Sequence, residues 1–132
     1  MPFSGFMRVY SQKKIIINLK IFVNDILSKI QQAGLVGRGG AGFPVAKKWA
    51  AVKVALGDKK YVVSNASEGE PGVAKDGYIL EHYPDKVING VKIAIDFLSA
   101  EKGYLFLNHN YYKKFHKKLA ALLKNSKIEI FI

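Results

Sequence analysis

Four glycines fall within the six positions Gly37-Arg38-Gly39-Gly40-Ala41-Gly42, and Phe43-Pro44 and Lys48-Trp49 follow. A backbone this bare has free access to positive φ and brings its N–H groups close to an anion or a flat ring. A second stretch, Asn65-Ala66-Ser67-Glu68-Gly69-Glu70-Pro71-Gly72, sets polar and acidic groups on another loop. Together the two loops suggest a cofactor site. Other chemistries find less support. His82, His109 and His116 lack metal-ligand spacing. Ser64 and Ser67 sit in no nucleophile-elbow pattern, which argues against a hydrolase.

The elements around these loops follow from periodicity and punctuation. Ile26, Leu27 and Ile30 predict a helix from Asn18 or Asn24 to Ala33, stopped by Gly34 in the left-handed conformation. The glycine loop therefore follows a helix. Gly37-x-Gly39-x-x-Gly42 matches the dinucleotide fingerprint formally, but that fingerprint needs a preceding strand, so the standard Rossmann reading is rejected. Pro44 suits the start of a second helix, expected over Val45 to Leu56 and ending at Gly57. Its amino end would favour a phosphate.

Tyr61-Val62-Val63 reads as a buried strand leading into the acidic loop. A short helical segment after Asp76 carries Tyr78, Ile79 and Leu80, and Pro84 pushes Tyr83 toward extended geometry. Pro84 then opens a longer helix in which Val87, Ile88, Val91, Ile95 and Leu98 recur at helical spacing. Tyr104 to Leu107 is a second apolar strand. A lysine-rich helix follows, with Tyr112, Phe115, Leu119, Leu122 and Leu123 on its apolar side, and Lys127 to Ile132 alternates as a third strand. This βαβαβ order predicts a small α/β fold, a Rossmann-like parallel sheet in two or three layers, preceded by a helical glycine-loop region. Residues 1–23 form an amino-terminal arm in which Ile15-Ile16-Ile17 is an edge strand or a packing arm; residues 24–132 form the α/β domain. Trp49 is expected in the core.

With 49% hydrophobic and 23% charged residues, the chain has an ordinary globular composition. Absence of cysteine from the 132 residues excludes disulfides, thiolate zinc sites and cysteine-held iron–sulfur clusters within them. The net charge of +11 raises nucleic-acid binding. Lys113, Lys114, Lys117, Lys118 and Lys124 lie mainly away from the apolar side of their helix, however, and read as a solvated face. No nucleic-acid-binding motif accompanies them. No apolar run approaches the ~18 residues of a membrane span, and no secretory signal is apparent, so a cytoplasmic location, including peripheral attachment to a membrane-bound complex, is expected.

Gly34 through Pro44 with Lys48-Trp49, then Asn65 through Gly72 with Lys75-Asp76, resemble the flavin-carrying, NADH-oxidising subunit of respiratory complex I and related diaphorase subunits. The similarity continues through His82-Tyr83-Pro84 and covers residues 20–132. It implies FMN and NAD as cofactors and hydride transfer from NADH to FMN. It also implies that Gly37, Arg38, Gly39, Gly40, Ala41 and Gly42 line the cofactor and that Phe43 stacks at the adenine end. Lys48 and Asn65 would reach the flavin, Ser67 would stand at a flavin-contact position often held by Asp, and Glu68 and Glu70 would border the flavin and nicotinamide. No protein acid or nucleophile is needed, so no catalytic residue is assigned.

Ser67, Gly77 in place of a common Arg, and Ala51 in place of an aromatic are departures from the family pattern. The resemblance covers only the amino-terminal part of the FMN/NAD-binding domain. The expected partner is therefore a second segment or chain supplying the rest of the flavin site and the iron–sulfur clusters. A degenerate, non-catalytic interaction module is the alternative, and a basic nucleic-acid-associating domain the weaker third reading.

Overall fold

The computed structural model describes residues 25–132. The arm at 1–23, with Ile15-Ile16-Ile17, and the helix starts expected at Asn18 or Asn24 lie outside the described residues. The chain divides into two compact units, Met1–Ala55 and Leu56–Ile132.

In the first unit, the described part of helix α1 spans residues 25–32. Gly34 ends it in the left-handed region at φ +60, as its position predicts. Donation from the Gly34 N–H to the Gln31 carbonyl and from Leu35 to Ile30 closes the last turn. Helix α2 (Val45–Val54) follows the glycine loop, with Pro44 as its flanking residue. It is shorter than the expected run to Leu56. Ala55 turns to an extended ψ of 137 while donating back to Val52, and Leu56 is left fully in solvent, with no packing to sustain another turn. No residue of α2 is fully buried, and Trp49, expected in the core, is half-buried.

The second unit carries strand β1 (Tyr61–Ala66), helices α3 (Lys75–His82) and α4 (Pro84–Leu98), strand β2 (Lys102–Leu107), helix α5 (His109–Leu123) and strand β3 (Ile128–Phe131). The sheet has the order β1-β2-β3 with both pairings parallel, as the alternation of strands and helices requires. Gly103, Leu105 and Leu107 on β2 are buried on the face that receives α4. A Cβ at Gly103 would lie 2.8 Å from Ile95 and 2.9 Å from Val91, so glycine is what lets α4 approach the central strand. Ile128 on β3 is buried on the same face, where α5 packs through Phe115, Leu119 and Leu123. Within this unit the helices on the sheet occupy one face, making two layers of the two or three expected.

The opposite face corrects the expectation for β1. Tyr61 and Val63 are 47% and 61% exposed, because β1 is an edge strand and these side chains alternate away from α4. Leu122 is likewise 41% exposed rather than part of the α5 core stripe. Tyr83 is not extended. At φ −135, ψ 43 it serves two helices at once, donating to the Ile79 carbonyl at the end of α3 and accepting from Val87 N–H at the start of α4. Pro84 keeps Tyr83 out of the helical region, and these shared bonds keep it out of the strand region.

Candidate functional site

The glycine loop is a short, pinned excursion between two helices. Val36 and Pro44 form an antiparallel bridge, the Gly37 N–H donates to the Phe43 carbonyl at 2.9 Å, and the Val45 N–H donates to Leu35 at 3.0 Å. Gly40 (φ +101) and Gly42 (φ +60) take backbone conformations that L side chains rarely adopt, which allows the chain to return within so few residues. Nothing lies within 4 Å of where a Cβ would stand at Gly39, Gly40 or Gly42. Among the described residues, the N–H groups of Arg38 through Gly42 have no backbone acceptor. Arg38 through Phe43 are exposed.

Two side chains stand beside this bare backbone in the same unit. Phe43 is exposed, and the Lys48 ammonium lies 6.0 Å from the centre of its ring. The first turn of α2 contains no acid and its flanking Pro44 supplies no side-chain cap, so the amino end keeps its partial positive charge. An apolar cavity of about 350 Å³ between α1 and α2, lined by Leu27, Ile30, Val36 and Pro44 among others, includes none of the expected ligand residues. It is a gap between helices.

The second loop leaves the carboxyl end of β1. Asn65 Oδ1 accepts the Ser67 N–H at 3.0 Å, a side-chain turn that bends the chain out of the strand. Glu68 has φ +22, unusual for a residue with a side chain, and its side chain is 2% exposed. Its carboxylate accepts the Asp76 N–H (3.0 and 3.2 Å), the Gly77 N–H (3.3 Å) and the Tyr111 hydroxyl. Helix α3 begins at Lys75, one residue before Asp76, after Ala74, which has no side chain to cap it. Glu68 does that work from the preceding loop, satisfying amides that the helix cannot. Burial opposes ionisation of Glu68, but the Tyr111 hydroxyl, the two amides and nearby Lys75 outweigh it and hold the carboxyl below its ordinary value. The Tyr111 phenol is correspondingly pushed up, first by its bond to Glu68 and then by burial, and so remains a donor.

Asn108, between β2 and α5, ties the loop from the other side. Its Nδ2 donates to the Ser67 carbonyl at 2.8 Å and to that of Glu68 at 3.4 Å, while its Oδ1 accepts the Tyr111 N–H and caps α5. Glu70 is exposed on the outer part of the loop. Ser67 and Glu68 are thus fastened to α3 and α5, whereas Asn65 and Glu70 remain exposed. Sequence reasoning missed Tyr111 and Asn108. An Asn directly before a helix was a capping signal, but nothing local announces a Tyr that meets a carboxylate 43 positions earlier.

The expected residues therefore fall in two groups. Gly37 through Phe43 and Lys48 belong to the first unit, and Asn65, Ser67, Glu68 and Glu70 to the second. Among the described residues no group of His, Cys, Asp and Glu is arranged to hold a metal ion. Likewise, no helix among them is long and apolar enough to cross a membrane.

Comparison with known proteins bears on both groups. A family model described as the Nuo51 FMN-binding domain matches residues 30–132. An NADH-quinone oxidoreductase subunit of Rhizobium meliloti (strain 1021) is 40% identical over 88 residues, which are 67% of this chain and 21% of that protein. The alpha subunit of NAD-reducing hydrogenase HoxS of Cupriavidus necator is also 40% identical over 88 residues, covering 67% of this chain and 15% of its own length. A crystal structure of an NAD+-reducing NiFe hydrogenase in the air-oxidized state matches with a TM-score of 0.73 at 34% identity, over 82% of this chain and 20% of that one. The chain spans 15% to 21% of the length of these relatives. Because this family model covers residues 30–132 and so both loops, the chain belongs to the Nuo51 FMN-binding domain family.

Proposed function

We propose that this chain is the glycine-loop part of a flavoprotein module that binds FMN and NADH, completed by a further polypeptide segment or chain. The carrying observation is the Arg38–Gly42 backbone, open on its outer side, with Phe43 and Lys48 beside it. Those residues suit a flat, anionic nucleotide. N–H groups without backbone acceptors meet phosphate or ring oxygens, the Phe43 face meets an adenine, and the Lys48 ammonium offsets negative charge.

In this reading Gly37, Arg38, Gly39, Gly40, Ala41 and Gly42 line the nucleotide, and Asn65, Ser67 and Glu70 present the polar edge of the second loop, on which Glu68 also sits. When bound, FMN supplies the chemistry of accepting a hydride from NADH and releasing electrons singly. The chain's own task is binding and orientation: it holds flat rings in register and sets the local charge. The relatives are named as subunits, which supports a protein partner, here one that carries the remaining flavin contacts and the iron–sulfur clusters. A location in the cytoplasm, at the periphery of a membrane-bound assembly, fits that role.

Calorimetric titration with FMN and with NADH tests this, first on the chain alone and then with the complementary part of a relative. Binding of either, strengthened by the complement, is expected. Absence of binding in both settings overturns the reading.

A further inference from the structure

We propose that Glu68, Tyr111 and Asn108 are positioning residues whose hydrogen bonds fix the shape of the Asn65–Gly72 loop, so that Asn65, Ser67 and Glu70 face a flavin nucleotide while the Glu68 carboxylate does not. That the ligand is a flavin rests on the function proposed above; the fixing of the loop does not.

The observations form a closed circuit. The loop leaves β1 at Ala66, and Asn108 at the end of the paired strand β2 donates to its first two carbonyls beyond Ala66. The same Asn108 caps α5 and so places Tyr111, whose hydroxyl donates to Glu68. Glu68 in turn accepts from the amides of Asp76 and Gly77 at the start of α3. Ser67 and Glu68 are thereby held from two sides, by Asn108 and Tyr111 and by the start of α3. The positive φ of Glu68 agrees with this, because a non-glycine residue keeps such a conformation only where its surroundings over-determine it.

Gly77 completes the circuit by what it lacks. A Cβ there would stand 2.6 Å from the Tyr111 Oη, 2.8 Å from Cζ and 3.0 Å from Cε1. The phenol therefore occupies the space that a side chain at position 77 would need. With Tyr111 in this position, a side chain at position 77 would require the phenol to shift. A carboxylate buried among three donors has little left to offer a ligand, and Lys75, at 3.9 Å, adds a fourth favourable neighbour. Of the two loop acids, Glu70 is the one left outward.

The test uses the full chain and two variants. Tyr111→Phe removes the hydroxyl and keeps the ring. Asn108→Ser keeps an oxygen able to cap α5 and removes the donor to Ser67 and Glu68 without adding charge, so a residue that merely caps would be little affected. Amide resonances of residues 65–72, 76 and 77 are followed by NMR, and FMN affinity by flavin fluorescence. Both variants are expected to move the loop resonances, keep the helical circular dichroism and weaken FMN binding, about ten-fold or more for Tyr111→Phe, which loses a hydrogen bond to a charged group, and less for the Asn108 variant, which loses bonds to neutral carbonyls.

In Tyr111→Phe the affinity should also begin to fall at a higher pH than in the parent, because Glu68 has lost a donor that keeps it ionised while burial still opposes its charge. Asp76 and Lys75 are the other charged groups around it, and both are unchanged. Unmoved loop resonances in both variants overturn the proposal, as does a moved loop with unchanged FMN affinity. If the parent chain binds no FMN even when complemented, the flavin reading falls, and the loop resonances alone then decide whether the circuit fixes the loop.

Discussion

In the glycine loop, side chains have been removed and the backbone amides of Arg38 through Gly42 are left without backbone acceptors. In the Asn65–Gly72 loop the reverse holds, and both side-chain and backbone groups are tied to α3 and α5. Among the described residues the first is held at its base, by the Gly37–Phe43 and Val45–Leu35 bonds and the Val36–Pro44 bridge. The second is held at Ser67 and Glu68, from the start of α3 on one side and from Asn108 and Tyr111 on the other. A loop that must lie against a ligand keeps its polar groups free, whereas one that must present a few side chains at fixed positions uses its remaining groups to fix itself. The neighbourhoods differ in the same way. The first unit's α2 buries nothing fully, while the second unit encloses Leu80, Phe97, Leu105, Leu107 and Leu119 almost completely.

The largest break in this contrast should come from the core under the acidic loop. Leu107 is 1% exposed and immediately precedes Asn108, so Leu107→Ala should cost about 2–5 kcal/mol, read as a lowered urea midpoint. Next comes Gly40→Ala in the glycine loop. Its φ of +101 lies outside the comfortable range of a residue with Cβ, and the change should cost on the order of 1–2 kcal/mol although nothing obstructs the new methyl. Fluorescence of Trp49, the single tryptophan, follows unfolding of that unit.

A pH series sharpens the comparison further. Because the folded carboxyl of Glu68 sits below its ordinary value of 4.5, it stabilises the chain above that pH, and the contribution disappears as pH falls through the depressed value. Urea midpoints should therefore drop in acid, and Glu68→Gln should remove this part of the slope. A slope identical in parent and variant would show that Glu68 is not held ionised by its three donors. The smallest effect on folding is expected for Lys48→Met. Lys48 is exposed, so stability should stay within about 0.5 kcal/mol, while FMN affinity should fall and lose part of its salt dependence.

Much of the fold could be read locally. Gly34 as a helix stop, Pro44 ahead of α2, Pro84 opening α4 and the apolar recurrence from Ile88 to Leu98 are signals that act within a few residues. The parallel order followed from strands separated by helices. Edge and centre were less legible: Tyr61-Val62-Val63 and Tyr104-Leu105-Phe106 have similar composition, yet only β2 has neighbours on both sides. Tyr83 misled because two helices share it, and the proline rule considers only one of them.

The sequence by itself determined which stretches are exceptional, namely the clustered glycines and the paired acids. Those are statements about residue type and near spacing, and local chemistry suffices to make them. Only the tertiary structure decided that Glu68 turns inward while Glu70 stays out, and that the Tyr111 phenol fills the space beside Gly77. The physical reason is that a buried carboxylate takes its donors from wherever the chain brings them. Here they come from α3, eight and nine residues away, and from α5, 43 away, a meeting that the packing of those helices creates.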